Sequence, residues 1–373
     1  MRIAMVGTRG IPASYSGFET FVEEVSARLV ERGHRVTVYC RGTHVDYAAP
    51  VYRGISLVRL PTIRNKYLDT IVHTTLSCLH LLPRRYDIVM MCIAGNSPAA
   101  IIPRLGGKTV VLNVDGLDWQ RAKWPKPAKW YLQAAEYLAT KFPNAMVTDS
   151  RTVERYYRRR YRAHAQFIPY GTAERLLPPG ETLRRLGLEP RKYVLYVGRL
   201  EPENNAHHLV DAFAGLDTEM KCVIVGDAPY ASAYIASLKK SAGPNVVFPG
   251  YVFGDGYWEL NSNAIAYAYV SSASGTHPAL LEAMACGNCV IANDAPTNLE
   301  VIGDAALTYG GAEGADDLRR QLRIVLADSD LRAAYGRRAR QRVTEHYTWE
   351  RVTDAYEELF ARLAPSRGRR RRQ

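Results

Sequence analysis

The chain lacks any apolar run long enough to cross a membrane. A transmembrane helix needs about 20 consecutive apolar residues, and the nearest candidate, Leu68 to Leu82, contains Asp69 and two histidines. The first residues, Met-Arg-Ile-Ala-Met-Val-Gly, enter a strand and a glycine turn without an apolar stretch of signal-peptide length. We therefore expect a cytoplasmic protein with its own folded core.

Cysteine is also scarce, with six residues scattered over 373. Only Cys286 and Cys289 form a Cys-x-x-Cys pair, and a zinc site would need a second pair of ligands. We interpret both as small buried thiols at a helix-to-strand turn. The Asp328-Ser329-Asp330 triplet lies in a charged helical region, and we interpret it as surface. The sequence thus predicts neither a metal ion nor a cofactor.

Acidic residues are too few to balance the basic ones: 37 Asp and Glu face 49 Lys and Arg, which gives a net charge of +12. The excess is concentrated between Arg121 and Arg162 and in a tail with Arg367 and Arg369 to Arg372. Such a surplus favours anionic partners. No helix-turn-helix, zinc-finger or RNA-recognition signature accompanies it. Phosphate-bearing small molecules and anionic lipid headgroups are therefore better candidates than nucleic acid.

The length and the apolar pattern predict two α/β domains. Single cores stop growing at roughly 250 to 300 residues. A strand at Ile3 to Val6 is followed by a glycine loop and then by apolar residues at helical spacing. The same pattern restarts at Tyr193 to Val197. Strands alternating with helices in both halves imply two doubly wound parallel sheets, joined by a linker at Pro169 to Pro190.

We expect the first domain to span residues 1–172 and the second 173–346. Ligands of such sheets bind beyond the carboxyl ends of the strands. Two facing halves would therefore create a cleft in which chemistry occurs.

The most informative stretch runs from Gly275 to Gly287. Pro278 suits the first turn of a helix and Gly287 the residue just past its end, while free amides near Thr276 could meet a diphosphate. Glu282, one turn inside, could accept hydrogen bonds from a ribose diol. A glutamate near a helix start equally often complements the helix dipole, and the spacing alone leaves both interpretations open.

A second candidate is Arg199, which follows the strand Tyr193 to Val197 after Gly198. Breaking a sugar–phosphate bond leaves extra negative charge on a diphosphate, and a fixed guanidinium would stabilise that charge in the transition state. The planar guanidinium can also donate two parallel hydrogen bonds to the oxygens of a phosphate.

The N-terminal half offers glycine-rich backbone and one carboxylate. A loop with Gly7, Gly10 and Gly17 could bring backbone amides close to a ligand phosphate. Asp115, beyond a strand at Val110 to Val114, could bind sugar hydroxyls or an acceptor. Ordinary turns and a helix cap are the alternatives.

These residues together resemble the retaining glycosyltransferases of the large family 4. The stretches that carry the resemblance are Gly198-Arg199-Leu200, Gly250-Tyr251-Val252, Leu281 to Gly287 and Tyr347-Thr348-Trp349. Gly7 to Pro12, Gly17 to Phe21, Asn113 to Gly116 and Glu203-Asn204-Asn205 are similar, more narrowly, to a bacterial subgroup that includes rhamnosyltransferases of surface-polysaccharide assembly.

The resemblance implies the GT-B fold, with residues 347–365 returning to the N-terminal domain ahead of a basic tail at 366–373. It implies a metal-independent hexosyltransferase in which Arg199 acts on the diphosphate and Asp115 assists catalysis. The donor site it implies comprises Gly10, Gly17, Asn204, Tyr251, Ser274, Gly275, Thr276, His277, Pro278, Ala279 and Glu282. A glycan or lipid-linked glycan would be the acceptor, which favours peripheral attachment to the inner membrane face.

Two departures from the wider family bear on the donor. Ser274 stands where that family often has a glutamate, and Asn204 where it often has a lysine. A serine leaves more apolar room, which suits a deoxysugar. With the subgroup resemblance, this points to dTDP-L-rhamnose.

Other functions stay open at this stage. A transferase that uses a UDP- or GDP-hexose, a nucleotide-dependent oxidoreductase, a sugar epimerase of the same fold and a non-catalytic nucleotide-sugar-binding protein are the alternatives. Gly7 and Gly10 do not form the Gly-x-Gly-x-x-Gly of a dehydrogenase, although Arg41 could meet a 2′-phosphate.

Overall fold

The computed structural model describes residues 1–13, 17–63, 65, 68–121, 124–228, 231–272, 275 and 278–364. The basic tail predicted at 366–373 lies outside these residues, as do Ser274, Thr276 and His277. The chain divides into two compact units, one formed by Met1–Gly171 with the segment that begins at Trp349, and the other by Thr172–Thr348. The boundaries expected after residues 172 and 346 lie within two residues of this division.

Strands and helices alternate in both units. The strands are β1 (Arg2–Val6), β2 (Arg35–Arg41), β3 (Val51–Tyr52), β4 (Ile55–Leu60), β5 (Ile88–Cys92), β6 (Thr109–Asn113), β7 (Ala145–Thr148), β8 (Ala165–Phe167), β9 (Tyr193–Val197), β10 (Lys221–Val225), β11 (Val246–Gly250), β12 (Ala266–Tyr269), β13 (Val290–Asn293) and β14 (Leu307–Tyr309). The helices are α1 (Gly17–Glu31), α2 (Asp69–Leu81), α3 (Ile101–Leu105), α4 (Lys126–Ala139), α5 (Arg151–Tyr161), α6 (Glu181–Arg185), α7 (Ala206–Ala214), α8 (Ser232–Ser241), α9 (Gly254–Asn263), α10 (Pro278–Ala285), α11 (Pro296–Ile302), α12 (Ala315–Ala327), α13 (Ser329–His346) and α14 (Trp349–Leu363).

The N-terminal unit is built on an eight-stranded sheet in the order β3-β4-β2-β1-β5-β6-β7-β8. Its strands pair in parallel except for the β3–β4 hairpin. Because right-handed crossovers are the rule, helices α2 to α5 cover one face of the sheet and α1 covers the other. Strand β5, Ile-Val-Met-Met-Cys, is buried at every position, as a parallel strand covered on both faces must be.

Helix α14 returns to the N-terminal unit, as the GT-B prediction requires. It packs beside α1, where the rings of Phe21 and Tyr356 lie 5.2 Å apart. Arg28 Nε donates to Glu350 Oε1 at 3.0 Å, and Arg32 contacts Glu357 Oε2 at 2.7 Å. Two long segments of the sequence thereby contribute to one core, and the GT-B fold is confirmed.

The C-terminal unit has a six-stranded parallel sheet in the order β11-β10-β9-β12-β13-β14. The chain first builds outward from β9 to β11 and then crosses to β12 on the other side of β9. The strand order therefore reverses between β9 and β12, and helices α7 and α8 cover the face opposite α9 to α11. The core of this unit includes Leu209, Phe213 and Ile224, all buried.

The segment predicted as a linker is more ordered than proline and glycine suggested, because it contains α6. All six cysteines, Cys286 and Cys289 among them, are buried free thiols. Asp328 caps the N-terminus of α13, because its side chain accepts a hydrogen bond from the Leu331 amide at 2.9 Å. Among the described residues, no helix combines the length and apolarity needed to span a bilayer.

Candidate functional site in the C-terminal unit

The reversal of strand order between β9 and β12 marks the place where a ligand of this sheet would bind. Arg199 follows β9, and Gly275 and α10 follow β12. The two most informative stretches of the sequence therefore meet at neighbouring strand ends. This is the topological position at which doubly wound sheets hold nucleotides.

Glycines bring the strand ends close together. Gly226, at the end of β10, has a φ of +134°, and a Cβ there would lie 1.9 Å from the carbonyl oxygen of Gly198. No other residue fits that position without moving β9. The Gly198 amide donates to Val225 O at 3.0 Å, and the Gly226 amide to Gly250 O at 2.9 Å. The backbone that carries Arg199 is thereby fixed.

Arg199 itself reaches solvent. Its side chain is 37% exposed, and its Nη1 lies 3.7 Å from Glu201 Oε2. This long ion pair is the kind that contributes little stability near a surface. The guanidinium is therefore only weakly held by Glu201, and it stays accessible to solvent.

Asn204 holds the Arg199 loop from inside. Its side chain is 6% exposed, its Nδ2 donates to the Arg199 carbonyl at 2.7 Å, and its Oδ1 accepts from Ser271 Oγ at 2.9 Å. Asn204 thus ties the loop after β9 to the loop after β12. These bonds give Asn204 a positioning role, and direct contact with a donor stays a prediction.

Helix α10 has the ends that the sequence suggests. Pro278 is its first residue, and Gly287, just past its last turn, has a φ of +73°. Gly275 is buried with a φ of +101°, a conformation that favours glycine. Ala279 is half-buried in the first turn. The predicted donor contacts of Ser274, Thr276 and His277 lie outside the described residues.

Glu282 forms a hydrogen bond that the sequence did not suggest. The hydroxyl of Tyr257, on α9, donates to Glu282 Oε2. Burial raises the pKa of Glu282 above its ordinary value, and the bond from Tyr257 opposes that rise. Burial and the neighbouring Glu282 charge raise the pKa of Tyr257 well above its ordinary value, so the tyrosine remains a donor.

An aromatic pair lies at the end of β11. The rings of Tyr251 and Phe253 stack with centroids 5.6 Å apart and planes 19° from parallel, and the two residues are 44% and 61% exposed. The Tyr251 hydroxyl donates to the carbonyl of Asp227 at 3.1 Å. Exposed, stacked rings of this kind offer a planar face to a flat ligand.

The glycine loop of the N-terminal unit is held by two glutamates of α1. The Arg9 amide donates to Glu19 Oε1 at 3.0 Å, and the Ala13 amide to Glu23 Oε2 at 2.7 Å. Those two amides therefore serve the fold rather than a phosphate. A Cβ on Gly10, whose φ is +113°, would lie 2.6 Å from Cys40 Sγ.

The remaining N-terminal candidates lie at other strand ends. Asp115 has a φ of +57°, and its amide donates to Asn113 Oδ1 at 3.0 Å. Gly17 begins α1 and is half-buried. Arg41 is buried and bonds Asp69 at 2.7 Å, which removes it from any role at a cofactor phosphate.

Comparison with known families matches two separate stretches of the chain, one mainly in the N-terminal unit and the other in the C-terminal unit. Residues 181–342 match the family model described as glycosyl transferases group 1. Most of the C-terminal unit is therefore similar to this family. Residues 88–173 match a separate model described as a domain of unknown function, DUF1972. The described candidate residues Arg199, Asn204, Tyr251, Gly275 and Glu282 all lie within the stretch 181–342, and their roles stay predictions.

Curated relatives match over part of their length. An uncharacterised glycosyltransferase of Methanocaldococcus jannaschii is 24% identical over 177 residues, 45% of this chain and 44% of its own. The N-acetylgalactosamine-N,N'-diacetylbacillosaminyl-diphospho-undecaprenol 4-alpha-N-acetylgalactosaminyltransferase of Campylobacter jejuni is 27% identical over 154 residues, 40% of this chain and 42% of its own. The chain thus spans less than half the length of these two relatives.

Solved structures match over nearly the whole chain. A sucrose-phosphate synthase from Thermosynechococcus elongatus superposes with a TM-score of 0.84 at 21% identity, over 97% of this chain and 98% of that one. The structure of HepE of Anabaena in complex with UDP and glucose superposes with a TM-score of 0.80 at 17% identity. The match covers 97% of this chain and 100% of that one. At such identities these likenesses establish the fold.

Sequence analysis missed Tyr257, Glu201 and Ser271, which hold or flank the predicted residues. Tyr257 lies 25 residues before Glu282, and no periodicity connects them. Ser271 lies two residues after the end of β12, and a polar residue near a strand end was the one available signal. The contacts of Tyr257 and Ser271 depend on which strands are neighbours, which the sequence order does not reveal, whereas Glu201 pairs with Arg199 only two residues away.

Proposed function

We propose that this chain is a glycosyltransferase that moves L-rhamnose from dTDP-L-rhamnose to a lipid-linked glycan with retention of configuration. The observation that carries the proposal is the position of Arg199 and α10 at the β9–β12 reversal of a unit that is largely similar to the group 1 glycosyl transferases. A nucleoside diphosphate there would have its phosphates at the start of α10, where free amides and the helix dipole favour negative charge.

Arg199 would stabilise the leaving diphosphate. The acceptor hydroxyl oxygen bonds to the anomeric carbon as the bond from that carbon to the donor phosphate oxygen breaks. The hydroxyl proton passes to an oxygen of the departing phosphate. Negative charge grows on the diphosphate during this step, so a positioned guanidinium stabilises the transition state more than the bound donor. No metal ion takes part in the proposed step.

Glu282 would bind the sugar of the nucleoside, and Tyr251 with Phe253 would offer a stacking surface for its base. Of the N-terminal candidates, Gly10 and Gly17 stay predicted donor contacts, and Asp115 would assist catalysis at the acceptor. The name of the Campylobacter jejuni relative specifies a diphospho-undecaprenol acceptor, which supports a lipid-linked acceptor here.

Rhamnose is proposed because Ser274 leaves apolar room where a glutamate would meet additional sugar hydroxyls. A UDP-hexose is the second candidate, since the similar Anabaena structure holds UDP and glucose. A competition experiment separates the two. Purified protein with a lipid-linked acceptor would receive dTDP-rhamnose, UDP-glucose, UDP-galactose and GDP-mannose at equal concentrations. Preference for dTDP-rhamnose supports the proposal, and preference for a hexose overturns the rhamnose assignment while the transferase proposal stands.

We also propose peripheral attachment to the inner face of the cell membrane. The exposed large apolar side chains on the helices of the N-terminal unit all lie on the α2–α5 side: Leu76, Leu79, Leu105, Trp130, Tyr131 and Tyr137. Helices α1 and α14, whose residues are all described, have none. The basic stretch from Arg121 to Arg162 includes α4 and α5 of the same face, so apolar and cationic groups coincide there.

A further inference from the structure

Tyr257 changes what Glu282 can offer to a nucleoside. A carboxylate has two acceptor oxygens, and the Tyr257 hydroxyl donates to Oε2. Within the described part of the chain, Oε1 has no hydrogen-bond partner. A ribose brings two hydroxyl donors, at its 2′ and 3′ positions, whereas a 2′-deoxyribose brings only the 3′ hydroxyl. At Oε2 the tyrosine occupies one of the two lone-pair positions, so a second sugar hydroxyl would have to approach beside it.

The helix that carries Tyr257 is anchored by hydrogen bonds of its other residues, which fix the backbone from which the tyrosine extends. Further along α9, Glu259 accepts hydrogen bonds from the amides of Gly180, Thr182 and Leu183 at 2.8, 3.1 and 2.9 Å. Ser262 Oγ accepts from the Leu177 amide at 3.0 Å. One helix thus binds the segment around α6 on one side and Glu282 on the other.

We propose that Tyr257 determines nucleotide specificity, by taking the place of a ribose 2′-hydroxyl at Glu282 and so favouring 2′-deoxynucleoside diphosphates. This rests on the proposed nucleotide site around Glu282. The tyrosine supplies to one carboxylate oxygen the hydrogen bond that a ribose would supply. A deoxyribose then donates its single 3′-hydroxyl to the other oxygen of Glu282, so that each oxygen accepts one hydrogen bond. This arrangement accords with a dTDP donor and disfavours UDP and GDP.

Calorimetry with four nucleotides isolates the 2′-hydroxyl from the base. UDP and dUDP differ only in that hydroxyl, as do ribothymidine diphosphate and dTDP. In the unaltered protein we expect each deoxynucleotide to bind at least as tightly as its ribose counterpart. In Tyr257→Phe, which keeps the ring, UDP should gain about tenfold in affinity relative to dUDP, as one hydrogen bond to a charged group permits.

Tyr335→Phe, on α13, is the matched control and should leave the UDP to dUDP ratio unchanged. The proposal is overturned if the unaltered protein binds UDP at least tenfold more tightly than dUDP, a result that does not depend on how Tyr257→Phe folds. It is also overturned if a folded Tyr257→Phe keeps the original ratio. Failure of all four nucleotides to bind would instead overturn the proposed donor site itself.

Discussion

At the scale of single residues, Arg199 allows the sharpest test of catalysis. We expect Arg199→Ala to lower kcat by about 100- to 1000-fold, as the loss of one positioned stabilising group does. KM for the donor should change far less, because the charge that Arg199 meets grows mainly in the transition state. Steady-state rates at varied donor concentration measure both constants.

Arg320→Ala is the control for this experiment. Arg320 is 67% exposed and pairs with Asp317 on its own helix, α12, so its removal should leave both constants unchanged. An Arg199→Ala protein with normal kcat, or one whose only defect is a raised KM, would contradict the catalytic assignment.

Glu282 provides a prediction of pH dependence. Burial raises its pKa, so on acidification it takes up a proton at a higher pH than an ordinary glutamate. Protonation removes an acceptor oxygen that the nucleoside sugar needs. Nucleotide affinity should therefore fall with decreasing pH before an exposed glutamate would titrate. Calorimetric titration of unaltered protein and Glu282→Gln over a pH series checks this, because the phosphate's own titration is common to both.

If the two proteins show the same pH profile, Glu282 does not bind the nucleoside as its carboxylate. The helix position of Glu282 was predictable from the Pro278 to Gly287 spacing. Its bond to Tyr257 was not, because that contact joins two helices, α9 and α10, on one face of a sheet whose strand order the sequence conceals.

At the scale of elements, the strands that the sequence revealed include central ones. The run Tyr193 to Val197 is continuous and apolar, with four of its five residues buried, as in central parallel strands. The edge strands β3, β8 and β14, of two or three residues each, were missed because so short a run has no periodicity. Helix α6 was hidden by the prolines around it.

Helix α6 owes its place to Glu259, which yields a stability prediction. Burial alone would raise the pKa of Glu259, but hydrogen bonds from the Leu183, Gly180 and Thr182 amides lower it. The charged form is therefore the stabilising one. We expect Glu259→Gln to reduce the free energy of unfolding by about 1 to 3 kcal/mol, measured by chemical denaturation at neutral pH.

The same lowered pKa predicts the pH profile of this contribution. It should be complete above the pKa that Glu259 has in the unfolded chain and should disappear as pH falls through the lowered value in the fold. Asp255→Asn, on the same helix, is the control, since Asp255 is 80% exposed in its pair with Arg175 and such pairs contribute little. If the two substitutions lower the free energy of unfolding equally, the three hydrogen bonds to Glu259 contribute no more stability than an exposed ion pair.

At the scale of the whole molecule, the two-domain architecture was readable because the strand–glycine–helix pattern occurs twice. The prediction that α14 returns to the N-terminal unit came from the family resemblance, because no local feature at Trp349 indicates which unit the helix joins. Surface chemistry was readable only in part. The sequence located the basic stretch, but the coincidence of its helices with exposed Leu79, Leu105 and Trp130 on one face required the sheet topology.

That face gives the last prediction, on membrane attachment. Arg158 and Arg159 of α5 are exposed, and a basic residue near an anionic surface contributes about 1 kcal/mol. We expect the full chain to bind vesicles containing phosphatidylglycerol more tightly than neutral ones, with affinity falling as salt rises. Replacing both arginines by glutamate should weaken binding by at least tenfold in vesicle sedimentation.

The same double reversal at Arg337 and Arg338, which are exposed on α13 of the other unit, changes the net charge equally and should have a smaller effect. Equal losses from the two pairs would mean that net charge rather than the α2–α5 face drives binding, and equal binding to neutral and anionic vesicles would contradict electrostatic attachment altogether.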